Sequence, residues 1–223
     1  MNNPAGATMS AEFRLWAVLW LVFSAVCLGA EARADNSPII ERSAVNAQIG
    51  YEIRVPQGWT DLNPMLVGLY NTQSGLFASE DTLPTVLSMG FSKASAAPIP
   101  PVLVLLFSRV VEGIKPGEVP GYNKLFLSEA KDTAAKSQMA RQTGLATEVT
   151  FLGTDELRHN TPLFINGVST TLDFNGKLMS IPFYTKEGVL TLLFFAKDDE
   201  FDALAPEVRE IARNLIIFAD KQI

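Results

Sequence analysis

The side chains best suited to chemistry lie together in the segment TDELRHN, which contains the only histidine of the chain, His159. Asp155 and Glu156 shortly precede it, so the segment offers two carboxylates and one imidazole to a cation. Dedicated zinc sites place several histidine or cysteine ligands at defined spacings, and this segment does not. Asp, Asn and His are also frequent in turns. We therefore predict an exposed turn between two strands, with no metal and no cofactor, and the weak metal candidates are Asp155, Glu156 and His159.

Other kinds of catalytic chemistry have little support in the sequence. A Ser-His-Asp triad would need His159, and the segment GVSTT around Ser169 lacks the second glycine of a G-x-S-x-G turn. The acidic segment KDDEFD, residues 197–202, offers neighbouring carboxylates, whereas a glycosidase places two carboxyl groups across a cleft. Acidic residues also favour helix N-termini, because they stabilise the helix dipole. We expect a protein that is not an enzyme, and a hydrolase or metal-dependent enzyme is the least favoured function.

Two further features bear on ligands, the net charge and Trp59. A formal charge of −6 at pH 7, without any run of Lys or Arg, disfavours nucleic acid and anionic lipid as partners. The ring of Trp59, in the segment PQGW, has the shape to stack on a ligand. A tryptophan in such a position more often packs into the core at the edge of a sheet, and this is our prediction for Trp59.

The N-terminal region has the pattern of a secretory signal peptide. An uncharged apolar run of 16 residues, 15–30, follows Arg14, and Ala32 with Ala34 forms the A-x-A motif of a cleavage site. A comfortable membrane span needs about 20 residues, which this run does not reach. The pattern predicts cleavage between Ala34 and Asp35 and a periplasmic or secreted protein.

Cys27, the only cysteine of the chain, lies in this region and leaves two alternatives open. Lipid attachment would need a small residue just before the cysteine, and Val26 occupies that position. The run could also stay uncleaved as an anchor, and membrane contact would then occur through this segment alone. With cleavage, residues 1–34 are the signal peptide and residues 35–223 form a single domain without disulfides or thiolate metal sites.

This domain is predicted to consist mainly of strands. Apolar and polar residues alternate over residues 51–56, as in a half-buried strand, whereas the continuous apolar run 102–111 indicates a central strand. The segments FNGK and KEG are typical of hairpin turns. Further strands are predicted at residues 66–71, 147–157, 161–175, 178–186 and 189–197, and an irregular stretch at residues 72–101.

Two helices are predicted in the second half of the domain. Residues 123–144 are rich in helix formers and end at a glycine. The closing segment has an apolar stripe at helical spacing, with Asp202 as the expected N-cap and Pro206 in the first turn. The stripe, which must pack on the sheet, consists of Phe201, Leu204, Val208, Ile211 and Leu215, with Arg209, Glu210 and Arg213 on the outer side.

The order of these segments resembles the PsbP-like family. The resemblance lies in GYEIRVPQGW near the start of the domain, in FINGVSTTLDFNGKLMSIPFYTKEGVLTLLFFAK near its end, and in the closing helix after DDEFDALAPEV. Pro56 and Trp59 fill the Pro-x-x-Trp pattern of the family's opening strand, and Asn166 with Gly167 fills its Asn-Gly position. The resemblance implies an α+β fold, in which helices cover a mostly antiparallel β-sheet in an α/β/α sandwich.

The resemblance also implies a general kind of function. Members of the family include photosystem II extrinsic subunits, a Ran-binding nuclear import factor and bacterial periplasmic proteins. Non-catalytic protein binding recurs among them, and the fold alone does not select a partner. We therefore expect a non-catalytic extracytoplasmic protein-binding or assembly protein whose partner is another protein. The alternative is a small-ligand or lipid carrier with a pocket between the sheet and residues 72–101.

Overall fold

The computed structural model describes residues 42–47, 50–55, 57–62, 64–77, 85–93, 102–110, 114–142, 149–157, 167–173, 176–186 and 188–218. Ten strands and three α-helices are formed by these residues. In chain order they are β1 (Arg42–Asn46), β2 (Tyr51–Val55), β3 (Trp59–Asp61), α1 (Pro64–Phe77), β4 (Thr85–Lys93), β5 (Val102–Val110), α2 (Val119–Gln142), β6 (Thr150–Leu157), β7 (Gly167–Asp173), β8 (Lys177–Thr185), β9 (Gly188–Ala196), α3 (Asp198–Arg213) and β10 (Ile216–Ile217).

A seven-stranded antiparallel sheet in the order β3-β4-β5-β9-β8-β7-β6 occupies the centre of the fold. Strand β5 is buried on both faces, which explains its continuous apolar run and confirms the predicted central strand. Successive residues of a strand point to opposite faces. One face of the sheet therefore receives Val102, Val104 and Leu106, and the other receives Leu103, Leu105 and Phe107.

Helices cover both faces of this sheet, as the predicted α/β/α sandwich requires. Helix α3 packs on one face together with a small sheet of order β1-β2-β10, which the sequence patterns did not predict. Helix α1 packs on the other face through Tyr70, whose ring meets that of Phe107 edge-on at 5.3 Å. Helix α2 lies against β6 and β7. The α+β fold class with a mostly antiparallel sheet is thus confirmed.

Both predicted hairpins are present, and their flanking strands pair in the expected register. Asp173 lies opposite Lys177 across the first turn, and Thr185 lies opposite Gly188 across the second. Gly176 has a φ of +145°, and a Cβ there would lie 2.8 Å from Cζ of Phe195. Only glycine fits this backbone and this space.

Helix α3 confirms the predicted apolar stripe and corrects its N-terminus. Phe201, Val208 and Ile211 are buried, and the ring of Phe201 stacks on that of Phe194 at 4.9 Å. The helix begins earlier than expected, with Lys197 as the N-cap, so Asp202 is not the cap and Pro206 lies inside the helix. The first turn holds Asp198, Asp199 and Glu200, which favours this start because carboxylates stabilise a helix N-terminus. Within the stripe, Leu204 is only half-buried, and Leu215 is buried just beyond the helix end.

The strand predicted at residues 66–71 is wrong, because those residues belong to helix α1. Pro64 suits the first helical position, and the inward residues Val67, Tyr70 and Asn71 follow helical spacing. The irregular stretch predicted at residues 72–101 is also wrong, since it contains the end of α1 and all of β4. A bulge between Leu87 and Met89 interrupts the alternation of β4 and conceals the strand in the sequence.

The remaining elements lie close to their predicted positions. Helix α2 begins four residues before the expected start at residue 123. Strands β6 and β7 lie within their predicted bounds, and β8 and β9 are each displaced by one residue from theirs. None of the helices in the described part of the chain combines the length and hydropathy that a membrane crossing needs.

Candidate functional site

Of the three predicted metal candidates, the structure describes the side chain of Asp155. Asp155, in the edge strand β6, receives a hydrogen bond from Nη2 of Arg209 on α3 at 2.5 Å. Glu156 is the next residue of the same strand. His159 lies outside the described residues. Among the described residues, no group of three or more His, Cys, Asp or Glu is placed to hold a metal ion.

Trp59 packs in the core at the edge strand β3, as predicted, with 5% of its surface exposed. Its Nε1 donates to Oε1 of Glu207 at 2.9 Å, and Nζ of Lys93 donates to Oε2 of the same carboxylate at 2.9 Å. The Lys93 ammonium also lies 5.5 Å from the centre of the Trp59 ring. Glu207 on α3, which the sequence did not single out, is therefore an anchor that ties the helix to β3 and β4.

A small apolar cavity adjoins Trp59, and its size bears on the carrier hypothesis. Its lining includes Ile53, Phe91, Val104 and Ile211, and its volume is about 10 Å³. A volume on the order of 10–15 Å³ holds a single water, so neither a lipid chain nor a small organic ligand fits there. The carrier hypothesis places a pocket between the sheet and residues 72–101. Residues 85–93 of that stretch form strand β4, which is part of the sheet itself.

Two buried tyrosines, Tyr51 and Tyr70, have pKa values that suit acid–base chemistry poorly. The hydroxyl of Tyr51 lies 2.7 Å from Oγ of Ser88, which itself donates to the carbonyl oxygen of Leu106 at 2.9 Å. Burial raises the pKa of Tyr51 to about 12, against smaller opposing effects of hydrogen bonds to Ser88 and Asn46. Burial likewise raises the pKa of Tyr70 to about 12. A catalytic acid or base works best with a pKa near the operating pH, so these phenols do not suit that role.

The most unusual surface of the described chain is the outward side of α1. This surface, the α1 outer face, comprises Pro64, Met65, Gly68, Leu69 and Thr72, all of them exposed. The side chain of Met65 is 74% exposed and that of Leu69 is 45% exposed. The whole helix, PMLVGLYNTQSGLF, contains no charged residue.

Its composition makes this face ready for burial against another surface. The one hydroxyl on it, Oγ1 of Thr72, already donates to the carbonyl oxygen of Gly68 at 2.9 Å, one helical turn earlier. None of its five side chains therefore has a polar hydrogen that needs water.

Other exposed apolar side chains in the described residues occur singly. Examples are Leu125 on α2, at 55% exposure, and Leu152 on β6, at 48%. Leu125 has charged residues nearby on its own helix, among them Lys124 and Glu129. Isolated exposed aliphatic residues are normal on protein surfaces, whereas Met65 and Leu69 lie one turn apart on an uncharged helix.

Comparison with solved structures gives a structural likeness. The chain is similar to the solution structure of cyanobacterial PsbP (CyanoP) from Synechocystis sp. PCC 6803, with a TM-score of 0.46 and 10% sequence identity. The match covers 85% of this chain and 100% of that chain. That protein bears the name of the family that the sequence resembles. The likeness concerns the fold alone.

Sequence comparison adds no further relative. No family model matches the sequence, and no curated protein matches it either.

The α1 outer face was not predicted because residues 66–71 were assigned to a strand. One signal in the sequence could have found it. Residues 62–79 contain no Asp, Glu, Lys or Arg, although about a fifth of the whole chain is charged. A charge-free stretch of this length, too short and too polar to cross a membrane, indicates an element that is apolar on more than one side.

Proposed function

We propose that this protein is a non-catalytic protein-binding or assembly protein, and that the α1 outer face is its binding surface. The observation that carries the proposal is an uncharged helix on which two large apolar side chains, Met65 and Leu69, are exposed one turn apart. Fully burying a Leu or Met side chain is worth about 1.5–3 kcal/mol. Scaled by their exposure, Met65 and Leu69 together offer about 2–4 kcal/mol to a partner.

This magnitude indicates what kind of binding to expect. Association costs roughly 4 kcal/mol or more in lost translational and rotational freedom, so two side chains do not hold a partner by themselves. The flanking positions Pro64, Gly68 and Thr72 must add contacts through close packing. A reversible assembly contact fits this arithmetic better than a permanent one.

We also propose that the protein acts outside the cytoplasm, after cleavage between Ala34 and Asp35. The support is the uncharged run at residues 15–30, the preceding Arg14 and the A-x-A motif. The intact mass of the exported protein tests the proposal. A mass that retains residues 1–34, or that carries a lipid on Cys27, contradicts it.

The absence of catalytic function is part of the same proposal. Its support is that the polar side chains the sequence singled out, where the structure describes them, serve to hold elements together. Asp155 is engaged by Arg209, the acidic residues 198–200 occupy the first turn of α3, and Trp59 is hydrogen-bonded to Glu207.

Site-specific photo-crosslinking in cells tests the binding surface. A photoreactive amino acid replaces Leu69 in one strain and Leu125 in another, since both are exposed leucines on helices. We expect a protein crosslinked at position 69 but not at position 125, and its identity by mass spectrometry names the partner. Equal products at both positions, or none at position 69, would contradict the proposal.

A further inference from the structure

We infer that the occupant of the α1 outer face is the same face of a second copy of this chain. The inference rests on the proposed function and names the partner of that same surface. It depends on the shape, the charge and the size of the face.

The shape of the face is self-complementary. Residues four apart on a helix form a row, and Met65 and Leu69 make one raised row on this surface. The neighbouring row is lower over its described members, which are Pro64, Gly68 and Thr72. When two such helices cross with their i±4 rows interdigitated, the raised row of each copy lies in the low row of the other. A two-fold axis satisfies both contacts at once, as isologous dimers require.

Contacts within the fold do not explain why position 68 of the low row is a glycine. A Cβ at this position would meet no atom within 4 Å, so nothing inside the molecule excludes a larger residue. Glycine weakens a helix interior relative to alanine. Close approach of a second helix accounts for a glycine here, because small residues let two helix backbones come together.

The charge pattern favours a neutral occupant and permits a second copy. Each copy carries a formal charge of −6, so most orientations bring carboxylates against carboxylates. Helix α1 has no carboxylate, and two copies meeting there desolvate no charged group. A lipid surface is the poorer fit, because membrane-surface helices carry Lys and Arg along a polar face and α1 carries neither.

The size of the face sets the strength of the contact. Helix α1 has 14 residues and is therefore about 21 Å long. A crossing of two such helices buries on the order of several hundred Å², below the roughly 1,200 Å² at which stable interfaces begin. The dimer is therefore a weak one that forms reversibly at high protein concentration.

Sedimentation velocity of the exported, processed protein, from micromolar to millimolar concentrations, tests the inference. We expect a concentration-dependent shift from monomer to dimer. Leu69→Glu places two like charges in the contact, and Gly68→Leu fills the low row without adding charge. Each should weaken dimerisation by at least about tenfold. The matched control Leu125→Glu should change it by less than about twofold.

Circular dichroism melts check that the variants remain folded. We expect that they do, because the surroundings of Gly68 are open and Leu69 is exposed. A wild-type protein that stays monomeric throughout overturns the inference, and so does equal weakening by Leu125→Glu. Persistent crosslinking of position 69 to a different protein, with a monomeric wild type, overturns the inference and leaves the binding function standing. A monomeric wild type with no product at position 69 overturns both.

Discussion

Glu207 offers the sharpest test of how α3 is held to the sheet, because its two carboxylate oxygens have different partners. Oε1 accepts the indole N–H of Trp59 at 2.9 Å, and Oε2 accepts the ammonium of Lys93 at 2.9 Å. Glu207→Gln keeps a carbonyl oxygen for the indole and removes the negative charge. Glu207→Ala removes both. The pair of variants therefore separates the hydrogen bond from the ion pair.

The structure sets the expected magnitudes. The side chains of Lys93 and Glu207 are 26% and 31% exposed, and a partly exposed ion pair contributes about 0.2–1 kcal/mol. Trp59 is 5% exposed, and depriving a buried donor of its acceptor costs about 1–3 kcal/mol. We expect Glu207→Gln to lower the free energy of unfolding by at most about 1 kcal/mol, and Glu207→Ala by about 1–4 kcal/mol.

Urea unfolding of the processed protein measures these differences. Trp59 is the only tryptophan after residue 34, so its fluorescence reports the site directly while far-UV circular dichroism reports the whole fold. Glu210→Ala, at an exposed position on the same helix, is the control and should cost less than about 1 kcal/mol. If Glu207→Gln and Glu207→Ala lowered the free energy of unfolding equally, the charge of Glu207, and not its hydrogen bond to the indole, would hold the helix. A loss below about 0.5 kcal/mol for Ala would refute the anchoring role.

Three further predictions concern the core, high pH and the histidine. Ile211→Ala should lower the free energy of unfolding by about 2–5 kcal/mol because the side chain of Ile211 is buried. Leu204→Ala should lower it by less, because Leu204 is only half-buried. Arg213→Ala on the outer side should stay within about 0.5 kcal/mol, and denaturant midpoints at equal m values compare the three variants. The pKa of Tyr51 is raised from 10.0 to about 12 in the fold. The contribution of this shift to the free energy of unfolding is therefore present below pH 10 and is lost between pH 10 and about 12. Tyr51→Phe should flatten that part of the stability–pH curve, and an unchanged slope would contradict the assignment. His159→Ala should keep the melting temperature and complement a deletion strain; lost complementation in a folded protein would contradict the non-enzyme proposal.

The elements that the sequence predicted well are those whose local pattern and tertiary environment agree. The run in β5 is apolar at every position from 102 to 107, and only a strand covered on both faces buries all of them. The apolar stripe of α3 was predicted for the same reason. Its spacing defines one face of the helix, and that face packs on one apolar face of the sheet. The hairpin at Gly176 follows from local backbone chemistry and needs no tertiary information.

The predictions failed where the local pattern was ambiguous or a distant contact decided the outcome. LVGLYN is short, apolar and free of charge, which suits a buried strand as well as a helix that is apolar all round. The start of α3 was placed at Asp202 from its side chain type. The helix instead begins before a run of three acidic residues, which stabilise the N-terminus through its dipole without any side-chain cap.

The charge-free stretch could indicate the element, but the exposed side of α1 could not be predicted, because it is decided by a polar contact with strand β4. Both sides of the helix are apolar, so burial alone would allow either side to face the sheet. Asn71 removes this ambiguity: its Nδ2 donates to the carbonyl oxygen of Leu87 at 2.9 Å, and its Oδ1 accepts the backbone N–H of Leu87 at 2.8 Å. Turning α1 over would break both bonds and leave backbone groups of β4 without partners, which is costly in a buried setting. The fold therefore specifies that Met65 and Leu69 face outward.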